Sequence, residues 1–292
     1  MYVATLISDP KRANLTAEIA SFATMTLAGK GVTWLCENVA CDIELDTKPT
    51  DFESVWQSLQ ERKIDLVIQP AEGRRKKVLL ADMDSTMIEQ ECIDELAAEA
   101  DVGEEVAAIT ARAMNGELDF TEALLERVGL LKGLPVSVIS NVLETRITLM
   151  PGGVELLATM KRNGAYCALV SGGFVDFTSA IAARLGFDEN RANTLLRAAG
   201  RLSGKPGLPI LGREAKVQAL NDIVARLGLQ PNDVIAVGDG ANDLGMLQLA
   251  GCGVALHAKP IVAAQTNVRL NFADLTGLLY LQGYAQNEIV TS

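Results

Sequence analysis

Two rhythms of apolar residues divide the chain into strands and helices. Val78-Leu79-Leu80-Ala81, Tyr166-Cys167-Ala168-Leu169-Val170, Val234-Ile235-Ala236-Val237 and Gly253-Val254-Ala255-Leu256 are short apolar runs, and the first three stop at acidic or glycine-rich residues. Continuous rather than alternating runs predict strands buried on both faces, hence a parallel sheet covered by helices. Between the first two runs, Ile88 to about Thr145 carries helical spacing only. Ile88, Cys92, Leu96 and Ala100 form one stripe, and Phe120, Leu124, Val128 and Leu131 another. Residues 88–145 are therefore predicted to be a helical insertion after the first strand, lying over the sheet's carboxyl edge as a lid.

The first 70 residues follow a different order. Tyr2–Ile7 reads as a strand, Leu15, Ile19, Phe22 and Ala23 fall at helical spacing, and Val32–Cys36 and Cys41–Leu45 read as strands. Phe52, Val55, Trp56 and Leu59 mark a second helix, and Asp65-Leu66-Val67-Ile68 a last strand before Pro70. This β-α-β-β-α-β order is that of a ferredoxin-like split unit. Ala71-Glu72-Gly73-Arg74-Arg75-Lys76-Lys77 is the best boundary, predicted to be a solvated linker between residues 1–72 and 73–292. A length of 292 residues suits two such units.

Charge narrows the partners. With 26 basic and 37 acidic side chains the chain carries net charge −11, which disfavours a nucleic-acid or anionic-membrane partner. No apolar run approaches the ~20 residues of a spanning helix. Met1-Tyr2-Val3-Ala4 lacks the regions of a signal peptide, so a soluble, cytoplasmic chain is expected. Cys36, Cys41, Cys92, Cys167 and Cys252 are widely spaced in apolar surroundings and read as reduced core thiols. The sole histidine, His257, excludes chemistry built on several histidines and is expected to pack or hydrogen-bond.

Candidate chemistry gathers where the strands end. Asp82-Met83-Asp84-Ser85-Thr86 follows the first run, and strand alternation turns Asp82 and Asp84 to one face while the chain stays extended. Ser171-Gly172-Gly173 follows the second, and Gly238-Asp239-Gly240-Ala241-Asn242-Asp243 the third. Glycines let the backbone approach a ligand, and amides at a helix start favour an anion such as phosphate. Asp82, Asp84 and Asp239 together would raise one another's pKa without a cation, which argues for a hard one such as Mg²⁺. Each feature alone has a plainer reading: a helix cap for the acid pair, turns for the glycines, a solvated cation for Lys216. Their joint placement at the ends of buried strands changes that.

Asp82-x-Asp84-x-Thr86, Ser171, Lys216 and the 238–243 stretch resemble the four motifs of the haloacid dehalogenase-like phosphatases, most nearly the members acting on phosphoserine. The resemblance covers residues from about 76 onward, including Ala113-Met114-Asn115-Gly116 and Ala258-Lys259-Pro260. It implies an α/β fold, a Rossmann-like parallel sheet with a helical cap, and Mg²⁺-dependent hydrolysis of O-phosphoserine through an aspartyl-phosphate. Asp82 would be the nucleophile and Asp84 the acid and base. Asp82, Asp239 and the Asp84 carbonyl would ligate Mg²⁺, with Asp243 behind them. Ser171, Gly172, Lys216 and Asn242 would hold the phosphoryl end. Helical geometry sets Arg127 beside Phe120 on the edge of an apolar face, and the resemblance assigns it to the substrate carboxylate. Glu91 would meet the ammonium, although Glu89 and Glu95 are close enough that geometry alone does not choose. Met114 and Phe120 would shield the site. Transfer of the phosphoryl group to another alcohol, such as homoserine, is the rival reaction. Residues 1–72 resemble the amino-acid-sensing ACT domains in fold order alone, which would make the unit a sensor, a stabiliser or the seat of a homodimer.

Overall fold

The computed structural model describes residues 1–291. Its first unit runs β1 (Tyr2–Ser8), α1 (Ala17–Thr26), β2 (Val32–Cys36), β3 (Ala40–Leu45), α2 (Phe52–Glu61) and β4 (Ile64–Pro70). This is the expected order, folded into an antiparallel sheet β2-β3-β1-β4. Alternate residues of each strand face opposite ways. Ala4, Leu6, Ile64 and Leu66 pack with Ala20 and Ala23 of α1 and Val55 and Leu59 of α2. Thr16 caps α1, its Oγ1 accepting from the Ile19 amide at 3.3 Å.

The second unit opens with β5 (Val78–Ala81), followed by the helices of the insertion: α3 (Cys92–Ala98), α4 (Gly103–Met114), α5 (Phe120–Leu130) and α6 (Ser137–Thr145). Then come α7 (Gly153–Arg162), β6 (Tyr166–Phe174), α8 (Val175–Leu185), β7 (Glu189–Asn193), β8 (Leu195–Ala198), β9 (Arg201–Pro206) and α9 (Arg213–Leu227). The chain ends with β10 (Val234–Gly238), α10 (Leu244–Leu249), β11 (Cys252–Leu256), α11 (Pro260–Ala263), β12 (Val268–Leu270) and α12 (Gly277–Leu281). Six strands form a sheet in the order β12-β11-β10-β5-β6-β7, every neighbouring pair parallel. From β5 the chain winds out through β6 and β7, then returns to β10 on the other side. Strand order thus reverses beside β5, and the crevice of such a sheet opens at that reversal.

Four strands escaped the pattern. β7 is the polar edge strand Glu-Asn-Arg-Ala-Asn, and β12 has three residues. β8 and β9 form a hairpin closed by Ala199 and Gly200, both at positive φ. With most of its residues outside the core, it carries little apolar signal. It joins the insertion through the bonds Leu202 N to Leu134 O (2.8 Å) and Gly133 N to Leu202 O (2.9 Å).

The two units share a core. Ile7 and Val67, from the face of the first sheet turned away from its helices, pack in one cluster with Leu270, Leu278, Leu281 and Tyr284. Polar ties cross the same seam. Asp65, fully buried, accepts from the amides of Asn271 (2.8 Å), Phe272 (3.1 Å) and Ala273 (3.0 Å). Arg74 forms a bidentate pair with Asp42 (2.6 and 3.1 Å) and donates to the carbonyls of Tyr280 (3.1 Å) and Leu281 (3.0 Å).

The basic segment is therefore more than the solvated linker its composition predicts. Arg75 lies 4.1 Å over the Tyr284 ring, Lys76 reaches the Asn232 carbonyl at 2.9 Å, and Lys77 pairs with Asp233 at 3.2 Å. All five cysteines are buried and unpaired, and the His257 Nε2 lies 2.9 Å from the Ala273 carbonyl.

Candidate active site

The acid pair sits where β5 gives way to a tight loop. The Asp82 amide donates to the Val237 carbonyl at 3.0 Å, continuing the β5–β10 pairing. Asp84 lines the same cavity as Asp82, although the strand itself ends at Ala81. The chain then folds back. Amides of Thr86, Met87 and Ile88 converge on the Met83 carbonyl at 3.2, 2.8 and 3.1 Å, and Ser85 takes φ 54°, a costly left-handed conformation for a residue with a Cβ. That turn points the Ser85 hydroxyl at Glu91 Oε1, 2.7 Å away. It also brings the Cys92 amide, at the start of α3, to Asp84 Oδ1 at 2.8 Å.

At the neighbouring end of β10, oxygens of Asp82, Asp239 and Asp243 lie within 4.8 Å of one another. Asp243 is fully engaged: Oδ1 accepts from Lys216 at 2.6 Å, and Oδ2 accepts from the amides of Asp239 (3.2 Å) and Gly240 (3.0 Å). Its close approach needs Gly238, where a Cβ would stand 2.4 Å from the Asp243 carboxyl carbon. Asp239 Oδ2 is buried without a hydrogen-bond partner, with the Lys259 ammonium 3.7 Å away. A buried carboxylate oxygen left open beside a second carboxylate fits a cation, and oxygen donors alone fit a hard divalent one. The Asp84 carboxylate stands outside this group.

Ser171, Gly172 and Gly173 line the opposite wall at the end of β6. Ser171 Oγ accepts from the Gly173 amide at 2.8 Å and lies 3.3 Å from Asp84 Oδ2. Asn193, at the end of the unanticipated β7, donates to the Gly172 carbonyl (2.8 Å) and accepts from the Leu211 amide (2.7 Å). It thereby ties this loop to the segment leading into α9. Lys216 of α9 does not reach the cavity wall: its ammonium is buried between Asp82 and Asp243, 2.6 Å from each.

The insertion closes the cavity from above. Glu91, Met114, Phe120 and Arg127 line it together with Asn242 from the core. Gly172 admits the Phe120 ring, whose Cζ would meet a Cβ there at 2.7 Å. Of the candidate acids only Glu91 is on the wall: Glu89 is exposed and Glu95 pairs with Arg146. Arg127 is buried, its Nε donating to the Ala123 carbonyl (3.1 Å) and its Nη1 to Thr110 Oγ1 (3.0 Å).

Burial dominates the electrostatics. It pushes Asp82 far above the ordinary carboxylate range, aided by Asp243 and Asp239 and opposed by Lys216. Asp239 is pushed up to about 7 by burial, then by Asp243. Asp84 and Glu91 are raised mainly by burial as well. Burial alone would lower the Lys216 ammonium, but Asp243 and Asp82 overcome it and hold the group cationic. Lys216, within bonding distance of both acids, forms an ion pair with them. An added divalent cation would oppose the rise at Asp82 and Asp239.

Sequence reasoning reached every wall residue named above but missed those holding them: Ser85, the Cys92 amide, Thr110 and Asn193. Nothing in their local pattern marks them, since their partners are brought by the fold. Lys259 alone had a signal, in Ala258-Lys259-Pro260.

The haloacid dehalogenase-like hydrolase family matches residues 79–248. A phosphoserine phosphatase from Archaeoglobus fulgidus is 43% identical over 248 residues, 83% of this chain and 72% of that one. A solved hydrolase of the same family from Salmonella enterica serovar Typhi superposes with TM-score 0.81 at 32% identity, covering 96% of this chain and 98% of its own. A substrate-bound phosphoserine phosphatase gives TM-score 0.68 at 39% identity over 70% of this chain and 98% of its own.

Proposed function

We propose that this chain, which belongs to the haloacid dehalogenase-like hydrolases, hydrolyses O-phosphoserine to serine and phosphate, the last step of serine synthesis. The observation that carries the reading is one cavity lined both by Asp82, Ser171 and Asn242 of the core and by Arg127 and Glu91 of the insertion. The first group suits a phosphate, and the cation and acid of the second suit the carboxylate and ammonium of an amino acid.

Asp82, backed by Lys216, attacks phosphorus in line and the bond to the serine oxygen breaks. Asp84, raised by burial and so suited to hold a proton, gives it to the leaving oxygen. Asp84 then takes a proton from water as that water attacks the aspartyl-phosphate, freeing phosphate and Asp82. Ser171 Oγ and the Gly172 amide hold the phosphoryl oxygens, where aligned donors matter most. Mg²⁺ would be held by Asp82, Asp239 and the Asp84 carbonyl, with Asp243 supporting Asp239 from behind. When bound it neutralises charge on the transferring group.

The closed cavity is about 30 Å³. That is enough for two or three waters at roughly 10–15 Å³ each. Substrate therefore enters with the insertion displaced. Phosphate release from a panel of phosphorylated amino acids and sugars, with Mg²⁺ or Ca²⁺ and with or without homoserine, tests the proposed reaction. Phosphoserine with Mg²⁺ is expected to lead. A sugar phosphate in first place, or phosphohomoserine as main product, would overturn it.

Residues 1–72 form a supporting unit and 73–292 the catalytic one, with 88–145 as its cap. Strand β2 is a free sheet edge, and Phe22, Met25 and Trp34 of the same unit are exposed, which supports a homodimer through this unit. Sedimentation is expected to give a dimer, and Trp34→Glu to give the monomer; a monomeric parent protein counts against it. The unpaired, buried cysteines support a reducing compartment, the cytoplasm. No helix among the described residues is long and apolar enough to cross a membrane.

A further inference from the structure

We infer that Thr110 is a positioning residue for substrate selection: its hydroxyl, set between Arg127 and Asp94, aims the guanidinium into the cavity and keeps Asp94 from pairing with it. The inference rests on reading Arg127 as the contact for the substrate carboxylate.

Three cap helices meet at this one oxygen. Arg127 of α5 donates from Nη1 to Thr110 Oγ1 of α4 at 3.0 Å, and Thr110 Oγ1 donates to Asp94 Oδ1 of α3 at 2.6 Å. A hydroxyl has a single proton, and the acid takes it, so lone pairs are left facing the guanidinium. The direction of the network is fixed by that asymmetry. Arg127 Nε is tied to the Ala123 carbonyl on its own helix, so the guanidinium is held at two points.

What the network withholds matters equally. Among the described residues no carboxylate comes within ion-pair distance of Arg127, although Asp94 is one hydroxyl away. A buried guanidinium with neutral partners only is costly by itself and well prepared for an incoming planar carboxylate. Thr110 and Asp94 lie off the substrate wall, in an adjoining cavity shared with Glu91 and Lys259. They therefore act through Arg127. Without the hydroxyl, Arg127 and Asp94 are free to close on each other, and an internal ion pair competes with the substrate.

Thr110→Val keeps the shape and removes the hydroxyl; Thr110→Ser restores it. Both are to be assayed on O-phosphoserine and on p-nitrophenyl phosphate, which has the phosphate and no amino-acid end. The ratio of kcat/KM for phosphoserine over the aryl ester is expected to fall about tenfold in Thr110→Val, mainly through KM, and to recover in Thr110→Ser. In an Arg127→Ala background, itself low in that ratio, Thr110→Val is expected to lower it no further, because the two act as one unit. Equal loss on both substrates, or a further fall on top of Arg127→Ala, would mean the hydroxyl only braces the cap. Should Thr110→Val not fold, Thr110→Ala removes the same hydroxyl; an unchanged ratio there overturns the inference. A parent enzyme with no preference for phosphoserine removes the substrate reading and this inference together. An intact preference with Thr110→Val unchanged overturns the inference alone.

Discussion

Asp82→Asn is expected to lower phosphoserine turnover by a factor on the order of 10⁴ to 10⁶ without lowering thermal stability. The loss follows from the atom removed. Asp82 Oδ1 is taken by Lys216 at 2.6 Å, which leaves Oδ2 as the oxygen able to reach phosphorus. An amide nitrogen in its place is no nucleophile. The unchanged stability follows from the surroundings. Asp82 is buried beside Asp239 and Asp243, and both of these, with burial itself, disfavour its charge. The neutral, isosteric amide keeps an acceptor for Lys216 and relieves that crowding. Single-turnover phosphate release and a thermal melt on the same preparation read the two halves. Turnover within about a hundredfold of the parent enzyme would remove Asp82 as nucleophile, since the loss of a nucleophile from a unit of this kind is far larger. Lost turnover with a large fall in melting temperature would assign it a structural role.

The phosphoryl end of this site was legible because its residues follow directly from strand ends. Asp82, Ser171 and Asp239 each come within one or two residues of a continuous apolar run, and a parallel sheet brings such ends together whatever the loops do. The recognition end was legible only in part. Arg127 stands out as a cation on the edge of an apolar helix face, but Thr110 and Asp94 are ordinary helix residues until α3, α4 and α5 pack. The choice of Glu91 over Glu89 and Glu95 likewise waits on the Ser85 turn, whose left-handed φ no local pattern announces. In the first unit, Tyr2–Ile7 is apolar but for Thr5, and a run so nearly continuous implies two buried faces. Helices α1 and α2 cover one face, so the other had to meet the rest of the chain.

That second face leads to the other large effect. Residues 73–292 alone are expected to be insoluble, or to lack a cooperative thermal transition, although they contain every residue of the proposed site. Removing the first unit strips Ile7, Leu35, Val39 and Val67 from the cluster that holds Leu270, Leu278, Leu281 and Tyr284. A contiguous apolar surface is thereby exposed. It also removes Asp65, leaving the amides of 271–273 without their acceptor, and Asp42, leaving Arg74 unpaired. The loop so released contains the Ala273 carbonyl that holds His257, two residues before Lys259 and its contact with Asp239. Damage at the seam therefore has a short covalent route to the acidic cluster. A milder change separates support from catalysis: in the full chain, Asp65→Ala removes one buried acceptor and is expected to cost about 1–3 kcal/mol of stability, seen as a lower melting temperature. Its kcat at low temperature is expected to stay near that of the parent enzyme, because Asp65 touches none of the cavity residues. A soluble 73–292 fragment with full kcat/KM and a cooperative melt would show that the shared core is dispensable and the first unit an attachment. If Asp65→Ala instead lowers kcat and leaves the melt unchanged, the seam acts on the site itself rather than on the fold.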